Sequence, residues 1–314
     1  MIDALQFLEE HRNWRFPYFK DTPLRQRIAW RRLGFSAWRA GAISFRDAMQ
    51  NLLSSAGKSQ SLMKRMWAFA NAHFMDDIRA QNLHQEGIAV FGRPFNLASE
   101  REETLKWIAT FKTLNETIAA DQYQTKKYLR PNSTVVDAGA NIGAFSVLSG
   151  HLCPEGAIYA FEPVPSTCSV LRKNCSPYRN IHVYEQALGE TEKESSILMN
   201  LETLAASALQ DSGMPFDTYP TAPPQKVSVT TVDALELPRL DFMKLDVEGY
   251  CGRVIAGAKE SIRKYRPVIV MEIDRPGTEE EEIKKLVNAV SPGYHFIKRY
   301  ATELLLSIIP QEKL

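Results

Sequence analysis

Apolar residues along this chain fall into two patterns. From Thr134 onward, compact β-branched and aliphatic runs alternate with stretches whose apolar residues recur at helical spacing. The runs are Thr134 to Val136, Ala157 to Pro163, Ile181 to Gly189, Val227 to Val232, Asp241 to Gly249, Pro267 to Ile273, Tyr294 to Tyr300 and Glu303 to Ile309. Near-continuous apolar runs suit strands buried on both faces of a parallel sheet. A strand, a helix and another strand make a right-handed βαβ unit, so such neighbours run parallel. The last two runs are joined by a short link and must be antiparallel. Such runs alternating with helices predict an α/β, doubly wound, mostly parallel sheet of seven strands, one fewer than the runs, whose ligands collect at the carboxyl edge.

Upstream the pattern changes. Residues 1–85 are polar and helix-compatible, with Leu62, Met66, Phe69 and Ala70 at helical spacing and Gly34, Gly41 and Gly57 as breaks. They are expected to form a helical N-terminal cap on a main domain spanning 86–314. Basic residues crowd His11 to Arg46, interleaved with Trp14, Phe16, Tyr18, Phe19, Trp30 and Trp38. Such a mix fits a solvated cap or a binding surface. Gly87 to Ser99 predicts a hairpin turning at Gly92-Arg93-Pro94. Ser99 and Glu102 predict a capping box for a helix carrying Leu105, Ile108 and Phe111, and a second helix is expected from about Glu116 to Pro131. The proline-rich segment 205–226 reads as a lid beside the sheet edge. Thr278 and Glu281 predict the cap of a late helix, whose first-turn glutamates complement its dipole.

Composition narrows the setting. With 314 residues, 44% hydrophobic and 24% charged, the chain has the make-up of a globular protein with an ample core. A net charge of +1 argues against a nucleic-acid partner. Cys153, Cys168, Cys175 and Cys251 form no CxxC pair, which predicts buried thiols and a cytoplasmic location. No run is long enough to be a transmembrane segment. A homo-oligomer is compatible with all of this.

The chemistry concentrates at TVVDAGANIGAFSVLS, Thr134 to Ser149, which reads as strand, glycine turn and helix start. Gly139 and Gly143 suit a turn that a ligand approaches closely, but Asn141 breaks the GxGxxG of a dinucleotide fold. Asp137 at the strand end would repel phosphate and attract a ligand ammonium, as in S-adenosylmethionine. A plain strand-ending Asx turn fits the same residues. Glu162 ends the next strand, 19 residues after Gly143, at the spacing where an acid reaches a ribose diol. Gln186 and Ala187 leave the third strand on the side where an adenine would lie. Lys244, Asp246 and Glu248 share one face if their strand stays extended, and Glu272 ends the following strand.

In order along the chain, VVDAGANIGAFS, AFEP, QALG, VSVTTVDAL, KLDVEG and PVIVMEI resemble the FkbM-type methyltransferases of the class I S-adenosylmethionine-dependent fold. The resemblance runs over roughly residues 99–309 and implies a Rossmann-like seven-stranded sheet with the last strand antiparallel. It also implies that Asp137, Gly139, Asn141 and Gly143 hold the methionine part, Glu162 the ribose, and Gln186 and Ala187 the adenine. Asp246 and Glu248 would flank the transfer cleft. The acceptors it implies are hydroxyls on sugars, glycans, carrier-bound groups or secondary metabolites. A neutral hydroxyl needs a general base, for which Asp246 or Glu248 is expected, then Glu272, with His295 remote. Mg²⁺ on the same carboxylates is the less favoured route. Two rival classes remain: an NAD(P)-dependent oxidoreductase, and a scaffold protein that binds through its basic aromatic N-terminus.

Overall fold

The computed structural model describes residues 1–10, 87–97, 103–199, 207–214, 223–275, 278–300 and 304–314, with positions 39, 75, 76, 78, 79 and 85 between them. The basic aromatic stretch, the Ser99–Glu102 box and the middle of the proline-rich segment lie outside these residues. The chain forms two compact units, Met1–Pro94 and Phe95–Leu314.

In the first unit β1 (Ile2–Asp3) runs into α1 (Ala4–Glu10), and Asp3 accepts from the amides of Leu5 and Gln6. β2 (Ile88–Val90) pairs in parallel with β1 and is hydrogen-bonded to β3 (Arg93–Phe95). The hairpin turns at Phe91-Gly92, both left-handed at φ 50° and 71°, one residue earlier than the Gly-Arg-Pro turn the sequence predicts. Two positive φ values are what a two-residue loop needs to follow strand twist.

The second unit opens with α2 (Glu103–Leu114), which widens without a break into a π-helical turn, Asn115–Ala119. The expected separate helix from Glu116 is therefore the end of this one. After a break comes a single short turn, α3 (Thr125–Tyr128), capped by Asp121, whose carboxylate takes the Thr125 amide at 2.7 Å. The chain then alternates β4 (Thr134–Ala138), α4 (Ala144–Leu152), β5 (Ala157–Phe161), α5 (Pro165–Cys175) and β6 (Ile181–Tyr184).

Beyond β6 the chain leaves the main sheet. β7 (Ala187–Leu188), β8 (Lys193–Met199), β9 (Ser207–Leu209) and β10 (Gln225–Thr230) form a separate four-stranded sheet in the order β7-β10-β8-β9. The run at Val227 is thus a strand, but of this second layer. Residues 191–226, which include the segment expected as a lid, hold β8, β9 and the first residues of β10, with the half-polar alternation that an open antiparallel sheet allows. β11 (Phe242–Leu245), α6 (Cys251–Ala256), α7 (Lys259–Tyr265), β12 (Val268–Glu272), α8 (Thr278–Val290), β13 (Tyr294–Tyr300) and β14 (Leu304–Pro310) complete the chain.

The main sheet has the order β13-β14-β12-β11-β4-β5-β6, seven strands as expected. β12, β11, β4, β5 and β6 are parallel neighbours, and the last strand, β14, is antiparallel to β12 and β13. Alternate residues feed two cores, as a sheet covered on both faces requires. Val136, Met243, Ile269 and Ile308 meet α6, α7 and α8, whereas Val135, Phe242, Val270 and Ile309 meet Phe145 of α4 and Tyr123. Full burial of each such side chain contributes roughly 1.5–3 kcal/mol. In α8, Glu279 accepts from the Asp274 and Arg275 amides, and Glu280 holds Lys284 and Lys298. The acidic run is helix chemistry, as read. The four cysteines are buried and unpaired. Among the described residues no helix is long and apolar enough to cross a membrane.

Candidate functional site

Both central strands end in tight turns, and these approach each other without side chains between them. Gly139, at φ 73°, follows β4, and a Cβ there would lie 1.8 Å from the Asp246 carbonyl oxygen after β11. Only glycine fits that contact. Gly143, at φ 94°, caps α4, and a Cβ there would meet Leu171 Cδ1 at 2.7 Å, so its task is to let α4 and α5 pack. Asn141 takes a left-handed φ of 50°, and its amide donates to Glu162 Oε2 at 3.0 Å. The other Glu162 oxygen accepts from the Val164 amide at 3.0 Å. Burial pushes the Glu162 carboxyl up to about 7, although both amides pull it down.

Beneath the turn lies an ion pair between neighbouring strands. Lys244 of β11 stands opposite Asp137 of β4 in the sheet register, with its Nζ 3.3 Å from Asp137 Oδ1. Asp137 is 0% exposed and accepts from Ser146 Oγ at 2.6 Å, so its carboxylate is held behind the turn rather than facing a ligand. Burial pushes its carboxyl up while Lys244 pulls it down. The Lys244 ammonium also donates to the Gly139 carbonyl at 2.6 Å and lies 3.4 Å from Asp246 Oδ2. Burial alone would lower that ammonium's pKa, but Asp137, Asp246 and Glu272 outweigh it and raise it above the ordinary lysine range.

The carboxylates just after β11 and at the end of β12 converge on a tyrosine from the segment before β4. Tyr123 donates to Glu272 Oε1 at 2.6 Å and sits 3.4 Å from Asp246 Oδ2. Gln122 Nε2 reaches the same Glu272 oxygen at 3.3 Å. Burial, with Glu272 and Asp246 adding to it, raises the Tyr123 phenol well above its usual value. β11 ends at Leu245, and Glu248 turns left-handed at φ 48°. The single shared face expected for Lys244, Asp246 and Glu248 therefore breaks: the lysine is buried and the acids stand on the turn beyond the strand.

Two clefts open on this edge. One, about 810 Å³ with its open mouth included, is lined by Phe161, Glu162, Ala187, Leu188, Leu209 and Tyr250 among others. The second, about 730 Å³ on the same measure, is lined by Glu116 and Thr117 of the π-helical turn and by Tyr123, Lys244 and Glu272. Gly139, Asn141, Asp246 and Glu248 line both.

Of the residues singled out from sequence, Gly139, Asn141, Glu162, Ala187, Asp246, Glu248 and Glu272 thus meet at the clefts. Asp137 and Gly143 support the turn from behind. Gln186 lies one residue outside the wall that Ala187 and Leu188 form, and His295 is exposed on β13 near the sheet's far end. Sequence reasoning passed over Gln122, Tyr123 and Ser146. Ser146 carried one signal, a hydroxyl repeated at Ser149 on a helix whose other buried residues are apolar. Among the described residues no cluster of three metal-ligating side chains occurs.

Residues 137–304, more than half of the chain, match the family model described as the Methyltransferase FkbM domain. Methyltransferase 1 of Beauveria bassiana is 28% identical over 161 residues, covering 45% of this chain and 65% of the relative, so the chain spans just under two thirds of that relative's length. The 2-O-methyltransferase NoeI of Sinorhizobium fredii is 20% identical over 185 residues, covering 54% of this chain and 76% of the relative. The crystal structure of Methyltransferase FkbM from Methylobacillus flagellatus superposes with a TM-score of 0.44 at 15% identity, covering 76% of this chain and 60% of the other.

Proposed function

Because the chain belongs to the FkbM-domain methyltransferase family, we propose that it methylates a hydroxyl of a sugar, glycan or secondary metabolite, with S-adenosylmethionine as donor. The observation that carries this reading is that the two clefts share Gly139, Asn141, Asp246 and Glu248, with Glu162 lining one and Glu272 the other. A donor cleft and an acceptor cleft meeting at one turn are what in-line group transfer needs.

The first cleft fits the donor by the chemistry of its wall. Glu162 would accept from the ribose hydroxyls, Gly139 and Asn141 would pass along the methionine part, and Ala187 with Leu188 would supply the apolar surface for the adenine. Asp137 and Gly143 would act through the turn they hold. When bound, the donor supplies an electrophilic methyl on a sulfonium. The protein's part is to align the acceptor oxygen and to take its proton as the carbon–oxygen bond forms. Asp246 and Glu248, which line both clefts, are the proposed bases, with Glu272 next. Transfer to oxygen also accords with a relative named as a 2-O-methyltransferase.

The test is methyl transfer from labelled S-adenosylmethionine to a panel of neutral sugars, glycans and hydroxylated metabolites. Incorporation at a hydroxyl, lost in Asp246→Asn or Glu248→Gln with S-adenosylhomocysteine binding retained, is the expected result. Full activity in both variants removes them as bases. Activity that vanishes on exhaustive chelation would favour the Mg²⁺ route instead. Binding of NAD but not of S-adenosylhomocysteine would sink the donor assignment.

A further inference from the structure

Five residues of the second cleft, Ala109, Lys112, Thr113, Glu116 and Thr117, come from α2 and its π-helical turn. Their spacing of i, i+3, i+4, i+7 and i+8 puts them on one helix face. Trp107, Phe111, Leu114 and Ile118 make a second, apolar face and are buried. Four of the five cleft residues are polar, and Glu116 and Thr117 are themselves buried, so this face is turned to the cleft rather than to open solvent. At its end the helix widens. The Ala120 amide donates to the Asn115 carbonyl at 2.8 Å, and the Gln122 amide to the Glu116 carbonyl at 3.1 Å. Such π-turns are frequent at functional sites. This one sets Gln122 and Tyr123, the partners of Glu272, directly after the polar face. The face also lies wholly before residues 137–304, outside the matched family region.

We propose that this face is an acceptor-specificity site, where Lys112, Thr113, Glu116 and Thr117 bind a second hydroxyl of the acceptor while another hydroxyl is methylated. The inference rests on the methyl-transfer reading above and narrows it to acceptors that carry at least two hydroxyls. A hydroxyl both donates and accepts, and the face presents both complements. Lys112 offers donors, Glu116 offers acceptors, and the threonines offer either. The Lys112 ammonium lies 3.6 Å from Glu116 Oε1, a gap that one hydroxyl oxygen can bridge by accepting from the first and donating to the second. A site built to hydrogen-bond a hydroxyl discriminates against the analogue that lacks it, because its polar groups then lose their partner.

The experiment is methyl-transfer kinetics on the full chain with labelled S-adenosylmethionine and three acceptor probes. These are myo-inositol, methyl α-D-glucopyranoside, and cyclohexanol, which keeps a six-membered ring with a single hydroxyl. The two polyols should be methylated with kcat/KM at least about tenfold above that of cyclohexanol. Glu116→Gln and Thr117→Val should each raise the polyol KM at least about fivefold with kcat within about twofold, the mark of lost acceptor binding. Neither residue lines the first cleft, so S-adenosylhomocysteine affinity should stay unchanged in both, which also checks that the variants are folded. Methylation of cyclohexanol as efficient as that of the polyols overturns the proposal, and so does a polyol KM unmoved in both variants. If S-adenosylhomocysteine binds but neither polyol is methylated, the proposal falls while the donor reading stands. If S-adenosylhomocysteine does not bind, the donor reading itself fails, and this inference with it.

Discussion

Lys244 and Asp137 face each other across adjacent parallel strands, with Nζ and Oδ1 3.3 Å apart and neither side chain more than 4% exposed. A buried pair of this kind does not by itself raise stability, because desolvation offsets the attraction, but removing one partner strands the other. Lys244→Met should therefore cost on the order of 3–5 kcal/mol in urea unfolding. Asp137→Asn in the same background should restore part of it, since the stranded carboxylate is gone. Additive losses in the double variant would show that the two residues do not act as a pair.

Glu162 sets a pH dependence with a defined sign. Its carboxyl is raised to about 7 in the folded chain, mainly by burial, from an ordinary value of 4.5. The folded state thus holds a proton that the unfolded state gives up between those values. Stability is largest below the unfolded value and falls by roughly 3 kcal/mol as pH rises through about 7. Glu162→Gln should flatten that slope in melting curves taken from pH 5 to 8. Ligand binding should show the opposite trend, because ribose hydroxyls donate to the ionised form. S-adenosylhomocysteine affinity is expected to weaken several-fold from pH 8 to pH 6, and a flat calorimetric profile would remove Glu162 as the ribose partner.

How far the sequence reached depended on the range of the interaction. The main sheet was legible because Val135-Val136, Phe242-Met243 and Val268 to Met271 are runs that only a two-faced parallel sheet buries. Glu162 stood out by its spacing within one βαβ unit, whereas Asn141 broke the glycine spacing and was singled out by the family resemblance. The second sheet was not legible: β7 and β10 pair in parallel across some forty residues, and two-residue Ala187–Leu188 has no periodicity to read. Lys244 was seen as one of three alternating charges, yet its role depends on register against Asp137, which no local pattern carries. Tyr123 was missed for a similar reason. Its partners Asp246 and Glu272 arrive from strands more than a hundred residues later.

The glycines separate close approach from plain helix flexibility. Gly139→Ala puts a methyl 1.8 Å from the Asp246 carbonyl at a φ that alanine resists, so the ends of β4 and β11 must part. Loss of S-adenosylhomocysteine binding and a melting temperature lower by several degrees are expected. Gly252 lies inside α6 with nothing within 4 Å of its would-be Cβ. Gly252→Ala should raise stability by about 0.5–1 kcal/mol, the helix preference of alanine over glycine. Thermal melts of the two variants side by side check both, and equal shifts of the same sign would contradict the geometry.

Tyr123 tests whether the segment before the matched family region takes part in the site. Its hydroxyl proton is given to Glu272 at 2.6 Å, while its ring meets Phe145 edge-on at 5.4 Å and lies under Lys244 at 5.7 Å. Tyr123→Phe keeps the ring contacts and removes one hydrogen bond to a charged group, so the stability loss should stay near 1.5–3 kcal/mol. Tyr123→Ala should cost a further 2 kcal/mol or more, from the cavity left among Phe145, Val135 and Leu129. The chemistry should respond to the hydroxyl alone. Without it Glu272 loses its 2.6 Å bond, while the 3.3 Å bond from Gln122 stays, and its carboxylate is less firmly held beside the second cleft. Methyl transfer to an acceptor identified by the labelled assay should then fall at least about tenfold in kcat in Tyr123→Phe, with S-adenosylhomocysteine affinity unchanged. A phenylalanine variant with wild-type turnover would place Tyr123 among the core residues only, and the acceptor-side base would have to be argued from Asp246 and Glu248 without it.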